Sequence, residues 1–174
     1  LFGTLNKVVS TKELIDKKTL ASFRIKALVL SYPEHECKLV KDMNYQDEID
    51  FIVTHPRRNS FIKDLTLNLK GNTLVLFQFV EKHGNILHDL IKNSTDRKVF
   101  YVYGGTDTQT REDIRAITEQ ESNAIIVASY GTFSTGINIR NLHNIVFSSP
   151  SKSRIRTLQS IGRALRRGEN KDSA

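Results

Sequence analysis

Thr73-Leu74-Val75-Leu76-Phe77-Gln78-Phe79 is a continuous apolar run of strand length, and it does not alternate with polar residues. Strands that read this way are covered on both faces, as in a parallel sheet, because a sheet open to water on one side shows a period of two. Three similar runs follow at residues 99–103, 124–129 and 144–148, each rich in Val, Ile, Phe or Tyr. Between them lie helical patterns. Ile86, Leu87, Leu90 and Ile91 form one apolar stripe, and residues 107–119 are amphipathic with Ile114 and Ile117 expected inward. Only the link from 124–129 to 144–148 shows no clear helix. Strand, helix and strand in repetition imply right-handed crossovers and an α/β fold, a doubly wound and mainly parallel sheet flanked by helices. Ligands of such sheets sit beyond the carboxyl ends of the strands. The segments after Phe79, Tyr103, Ser129 and Ser148 are therefore where function is expected.

Upstream the pattern is less regular. Ser10-Thr11-Lys12-Glu13 has the form of a capping box and opens a short helix to about Asp16. Residues 24–30 read as a strand ending near Pro33. Residues 45–53 and 56–69 read as helices, with Pro56 tolerated in a first turn and Phe61, Leu65 and Leu69 marking one buried face. His35-Glu36-Cys37 has a metal-like composition but no zinc spacing, and reads as a plain loop.

The 174 residues, 39% of them hydrophobic, suffice for one core. No run approaches the roughly 18 apolar residues that span a bilayer. Cys37 is the only cysteine, so an internal disulfide is impossible, which fits a reducing, cytoplasmic setting. Position 1 is not Met, and the expectation is a piece of a longer protein. The net charge of +7 favours a polyanionic partner. Lys152, Arg154, Arg156, Arg163, Arg166 and Arg167 fall within sixteen residues that contain no acid.

Three segments carry the chemistry. Gln159-Ser160-Ile161-Gly162-Arg163-Ala164-Leu165-Arg166-Arg167 has the form Q-x-x-G-R-x-x-R. At about 100° per residue, Gln159, Arg163 and Arg166 fall within about 60° of one another on a helix, and Leu158, Ile161 and Leu165 cluster elsewhere as a core side. Two permanently charged planar forks beside an amide suit a triphosphate whose charge shifts during phosphoryl transfer. Gly162 leaves room for close approach of a ligand or another backbone; the alternative is a solvated basic helix. Next, a buried strand ends at Ser129 in a loop of small polar residues, Gly131, Thr132, Ser134, Thr135 and Gly136, followed by Ile137-Asn138. Hydroxyls and amides at such a place can hold phosphate oxygens. Finally, Tyr103-Gly104-Gly105-Thr106-Asp107 ends a strand and opens a helix, with Arg111 downstream. It reads equally as an anion site at a helix N-terminus or as a tight turn capped by Thr106 or Asp107.

In this order, Phe77-Gln78-Phe79, Gly104-Gly105, Ala128-Ser129 to Gly136-Ile137-Asn138 and Gln159-x-x-Gly162-Arg163-x-x-Arg166 resemble motifs IV, V and VI of superfamily-two helicases, on their second RecA-like domain. The resemblance covers about residues 74–167, and Leu1-Phe2-Gly3 with Glu13-Leu14-Ile15 and Leu20 resembles the stretch that joins the two motor domains. It implies residues 1–23 as that linker and 24–174 as the domain itself. It further implies an ATP-driven DNA translocase, using Mg2+, that unwinds and remodels branched or forked DNA. The site roles implied are arginine fingers at Arg163 and Arg166, ATP contacts at Gln159, Gly162, Gly136 and Asn138, and nucleic-acid contacts at Ser129, Thr132, Gly104, Thr106 and Lys82. Asn138 stands where many members have Asp; Gly-Ile-Asn is similar to the Swi/Snf-type translocases, and Asn can still bond a ribose hydroxyl. Neither a G-x-x-x-x-G-K-[ST] loop nor an Asp-Glu-x-His or Asp-Glu-Ala-Asp box occurs in the chain. Both belong to the first domain in this family, so ATP and Mg2+ are expected to be bound mainly there. That first domain is the expected protein partner, with no membrane, and the cytoplasm the expected location (the host's, for a phage protein). The family carries one more strand after the arginine helix, which leads to the expectation of an incomplete end. The residues themselves leave open an RNA helicase, a restriction-type translocase, or a non-catalytic basic binding module.

Overall fold

The computed structural model describes residues 10–135, 139, 141–151 and 153–164, excepting the side chains of residues 11, 134, 135, 154–156, 163 and 164. Its centre is a sheet of four parallel strands, β1 (Thr73–Phe77), β2 (Val99–Val102), β3 (Ile125–Ser129) and β4 (Asn144–Phe147), in the order β2-β3-β1-β4. The register pairs Thr73 with Ile125 and with Asn144, and Val99 with Ile125, so all four strands end at one edge. Every residue of β1 and β3 is buried, as their unbroken apolar runs require.

Alternate residues of these strands feed two cores. Leu74, Leu76, Ile126 and Ala128 pack with Val102, Ile114, Tyr130 and Phe133 on one face. Val75, Phe77, Ile125 and Val127 pack with Ile62, Leu87 and Ile91 on the other. The helices that cover them are α4 (Pro56–Asn68) and α5 (Asn85–Lys92) on the second face, and α6 (Thr108–Gln120) and α7 (Tyr130–Thr135) on the first. Three helices precede them, α1 (Thr11–Asp16), α2 (Glu34–Lys41) and α3 (Tyr45–Thr54), and α8 (Arg154–Ala164) follows β4. The capping box at Ser10 forms as read, its hydroxyl accepting from the Glu13 N–H at 3.1 Å. Before β1 the chain turns at Gly71, whose φ of +85° and contact with the His143 ring leave no room for a Cβ.

The structure departs from the sequence reading in several places. Residues 24–30 form no strand. Ile25 and Val29 are 70% and 90% exposed, because no neighbouring strand meets this segment to supply a ladder. Together with α4 and β4, the segment instead walls a groove of about 700 Å3 lined by Leu28, Leu30, Phe61, Leu65 and Phe147. His35-Glu36-Cys37 belongs to α2 rather than to a loop. Glu34 in its first turn, the Glu34–Lys38 pair and lysines in its last turn stabilise that helix although it buries nothing. The buried row of α4 is Asn59, Ile62 and Thr66, with Leu65 and Leu69 only partly covered and Phe61 exposed. In α6 Thr118, not Ile117, turns inward. Its hydroxyl is satisfied by the Ile114 carbonyl, so burial costs it little. The small polar residues after Ser129 form the helix α7 rather than a loop.

Candidate functional site

The parallel register delivers four strand ends to one edge, and the chain continues from each into a helix or helix-like turn. After β1, Val80–Gly84 forms a π-helical turn that runs directly into α5. After β2 comes the Gly104-Gly105 turn, after β3 comes α7, and after β4 a short loop leads to α8.

At the β3 end, Ser129 and Thr132 are both buried. The Ser129 hydroxyl lies 2.8 Å from that of Thr132 and accepts the Thr132 N–H at 3.3 Å. The two hydroxyls thus close the first turn of α7 on each other, while Gly131 beside them is exposed with open space at its Cβ position. At the β2 end, Thr106 accepts the Tyr103 N–H at 3.1 Å and donates its own N–H to the Tyr103 carbonyl at 3.0 Å. Asp107 then caps α6 by accepting from the N–H and the hydroxyl of Thr110, bonds that hold its carboxyl below the usual carboxylate range. These bonds form a tight turn capped by both Thr106 and Asp107. A carboxylate already occupies this helix N-terminus, where an anion would otherwise settle. Gly105 packs against the Tyr103 ring so closely that a Cβ would stand 2.7 Å from it, whereas Gly104 is open and its carbonyl accepts from Arg111 at 3.1 Å. Lys82, on the π-helical turn, pairs with Asp50 of α3.

In α8, Gln159 and Gly162 are exposed, and nothing stands within 4 Å of a Cβ built on Gly162. Of the expected core side of Leu158, Ile161 and Leu165, Leu158 is 56% exposed, Ile161 is half-buried and Leu165 lies outside the described residues, while Ser160 is buried. Gly136, Asn138 and Arg166, with the side chain of Arg163, lie outside the described residues. Among the described residues no group of three or more His, Cys, Asp or Glu gathers as a metal site, and no helix is long and apolar enough to cross a membrane.

A buried polar group between β1 and β4 escaped the sequence reading. His83 is fully buried; its Nδ1 lies 2.8 Å from the Ser149 hydroxyl and its Nε2 3.2 Å from Asn59 Oδ1. Burial, aided by the Arg58 charge, pushes its pKa down to about 3, so the ring is neutral at ordinary pH. Arg58 donates to the Ser148 carbonyl at 2.6 Å, and Tyr130 donates to the Ser149 carbonyl at 3.1 Å. Burial raises the Tyr130 phenol to about 12, keeping it a donor. A polar pair, Arg58-Asn59, on the covered side of a helix was the available signal.

The four parallel strands thus lead at one edge into the π-helical turn, the glycine turn, α7 and the loop before α8, the helix that carries Gln159, Gly162 and Arg163. Residues 57–168 match the helicase conserved C-terminal domain family, and the chain belongs to that family. It is 40% identical over its whole length to the ATP-dependent DNA helicase uvsW of Enterobacteria phage T4, of which it spans 35%. The crystal structure of T4 UvsW is similar with a TM-score of 0.68 and 41% identity, over 82% of this chain and 28% of that one. The C-terminal part of the Fun30 ATPase domain shares the fold, with a TM-score of 0.57 and 19% identity over 80% of this chain and 45% of that one. The chain is a helicase C-terminal domain related to an ATP-dependent DNA helicase.

Proposed function

We propose that residues 24–174 act as the second motor domain of an ATP-driven DNA helicase, joined through residues 1–23 to a first motor domain that binds most of the ATP and Mg2+. The substrate is branched or forked DNA met in recombination, repair and rescue of stalled forks, and the setting is the cytoplasm of a host cell. Arg163 and Arg166 reach across the cleft to the γ-phosphate, and Gln159, Gly162, Gly136 and Asn138 line the nucleotide. The backbone around Gly104, Thr106, Ser129 and Thr132 contacts DNA phosphates, with Lys82 at the rim once it leaves Asp50.

The observation that carries this reading is α8, which follows β4 at the common edge through a short loop and holds the Gln159-x-x-Gly162-Arg163 part of the motif, with Gln159 and Gly162 exposed and Gly162 open. Likeness over the full chain to a protein named as an ATP-dependent DNA helicase supports it. Planar guanidinium forks stabilise charge that develops on the transferred phosphoryl group, and such fingers contribute on the order of 10³–10⁵ in turnover. Cleft closure would then be tied to hydrolysis. In the full-length protein, Arg166→Ala is expected to remove most DNA-stimulated ATP turnover and unwinding, with an unchanged circular dichroism spectrum. Arg166→Lys is expected not to rescue, because a point charge cannot reproduce a planar fork. Near-normal turnover in Arg166→Ala would make the basic face a DNA contact instead.

A further inference from the structure

From the bond pattern between β1 and β4 we infer that Ser149 and His83 are positioning residues, a hydrogen-bonded lock that fixes where α8 leaves the sheet and so where its arginines point. The inference rests on the motor-domain reading above and adds to it the residues that aim the arginine helix.

The direction of each bond in this lock follows from the partners. Gln78 donates its backbone N–H to the Ser149 hydroxyl at 3.0 Å. The hydroxyl has one hydrogen, which is therefore free for His83 Nδ1 at 2.8 Å. A neutral ring that accepts at Nδ1 carries its proton on Nε2, and donates it to Asn59 Oδ1 at 3.2 Å. Asn59 in turn donates from Nδ2 to the Val53 carbonyl at 2.9 Å. Every group has a partner of the right sense, and the chain of bonds runs from the end of β1, through Ser149, to the junction of α3 and α4. Two further bonds clasp the same short loop: Arg58 holds the Ser148 carbonyl and Tyr130 the Ser149 carbonyl. The loop is thus gripped from α4, from the turn after β1 and from α7, five residues before α8 begins at Arg154.

This arrangement is costly as a means of stability alone. It buries a guanidinium whose NH1 has no partner among the described residues, and an imidazole that burial holds neutral. Its return is geometric. A misplacement of about 1 Å at a reacting centre costs about 10²-fold in rate, and the lock sits at the root of the element that carries Arg163 and Arg166.

The test measures DNA-stimulated ATP turnover and thermal melting of the full-length protein for Ser149→Ala, Ser149→Thr and Arg166→Ala. Ser149→Ala deletes one oxygen and is expected to lower kcat by about 10- to 100-fold with KM for ATP within about twofold. Its melting temperature is expected to fall by only a few degrees, from the partners lost to the Gln78 N–H and His83 Nδ1, with the protein still folded at the assay temperature, and Ser149→Thr, which keeps the hydroxyl, to restore kcat. Should Ser149→Ala fail to fold, His83→Gln is read by the same split between kcat and KM. The lock is overturned if Ser149→Ala turns over normally while Arg166→Ala is inactive. It is equally overturned if turnover falls only in step with melting temperature and Ser149→Thr does not restore it. Normal turnover in Arg166→Ala instead removes the motor-arginine reading, and with it the thing the lock would aim.

Discussion

Asn72 sits at the opposite edge of the sheet from the working loops, fully buried where the strands begin. Its Nδ2 lies 2.7–3.0 Å from the carbonyls of Thr118, Glu121 and Asn141, which share its two hydrogens, and its Oδ1 accepts the Ala124 N–H at 2.8 Å. One side chain thereby ties the end of α6 and the segments leading into β3 and β4. Asn72→Ala strands the buried Ala124 N–H and takes a donor from three carbonyls, although Glu121 keeps the Asn141 amide and Thr118 the Glu121 N–H, and is expected to lower unfolding free energy by about 1–3 kcal/mol. Asn72→Asp is expected to cost more despite its identical shape, since a carboxylate oxygen would face three carbonyls. Urea titrations with an unchanged slope measure both, and an Asp variant as stable as the parent sinks the assignment. His83 makes a second residue-level prediction. Its folded pKa of about 3 lies below the ordinary 6.5, so between these values the unfolded chain binds a proton that the native chain does not. Its contribution is complete above pH 6.5 and is lost as pH falls from there toward 3, by up to about 1.4 kcal/mol per pH unit. His83→Gln should flatten that part of the curve of melting temperature against pH. Asp50 and Asp107, also held low, lose their contribution only at more acid pH and remain in both proteins.

Among the elements, legibility followed the strength of the periodic signal. The four strands were readable because β1 and β3 are buried on both faces, and continuous apolar runs have no other stable home. Helices α3 and α4 were readable from apolar spacing and Pro56. The strand expected at residues 24–30 failed for a reason no local pattern contains: a ladder needs a hydrogen-bonded neighbour, and a groove separates this segment from α4 and β4. The helix α7 hid because Gly131, Thr132, Ser134 and Thr135 are poor helix formers; packing of Tyr130 and Phe133 into the core overrides propensity. Inward faces were the least legible. In α4, α6 and α8 the buried positions include Asn59, Thr118 and Ser160, polar side chains that a hydrophobic pattern assigns to the surface. The first two satisfy themselves on backbone carbonyls at Val53 and Ile114. The candidate site behaved the same way. Its motifs stood out, but the bonds inside it did not: the hydroxyls of Ser129 and Thr132 meet each other, and Asp107 caps α6, pairings that no spacing in the sequence announces. The lock around His83 drew residues from α4, the turn after β1, α7 and the β4 loop, which only the folded topology brings together.

For the molecule as a whole, charge and missing parts point the same way. The net charge is +7, and the acid-free basic stretch 152–167 concentrates it near one end of the chain. Beyond the strand ends, Gly104, Gly131 and Gly162 are exposed with open space at their Cβ positions, so no side chain there reads a base. Binding built from backbone amides and lysine or arginine charge contacts phosphates, which carry no sequence information. DNA binding by the isolated chain is therefore expected to be weak and indifferent to sequence. It should fall steeply with salt, since each phosphate neutralised releases counterions, with a slope of about −0.9 per contact on a log–log plot for duplex. The same preparation should not hydrolyse ATP, because the chain contains no phosphate-cradling G-x-x-x-x-G-K-[ST] loop with its lysine. Fluorescence titrations of unrelated duplexes and forks at several salt concentrations, with an ATPase assay alongside, test both statements. Affinity that ignores salt, or that differs strongly between unrelated sequences, would place the recognition in side chains reading bases. Contaminant-free, DNA-stimulated turnover by the chain alone would mean that it holds its own catalytic phosphate site, and the division of labour between two motor domains would have to be abandoned.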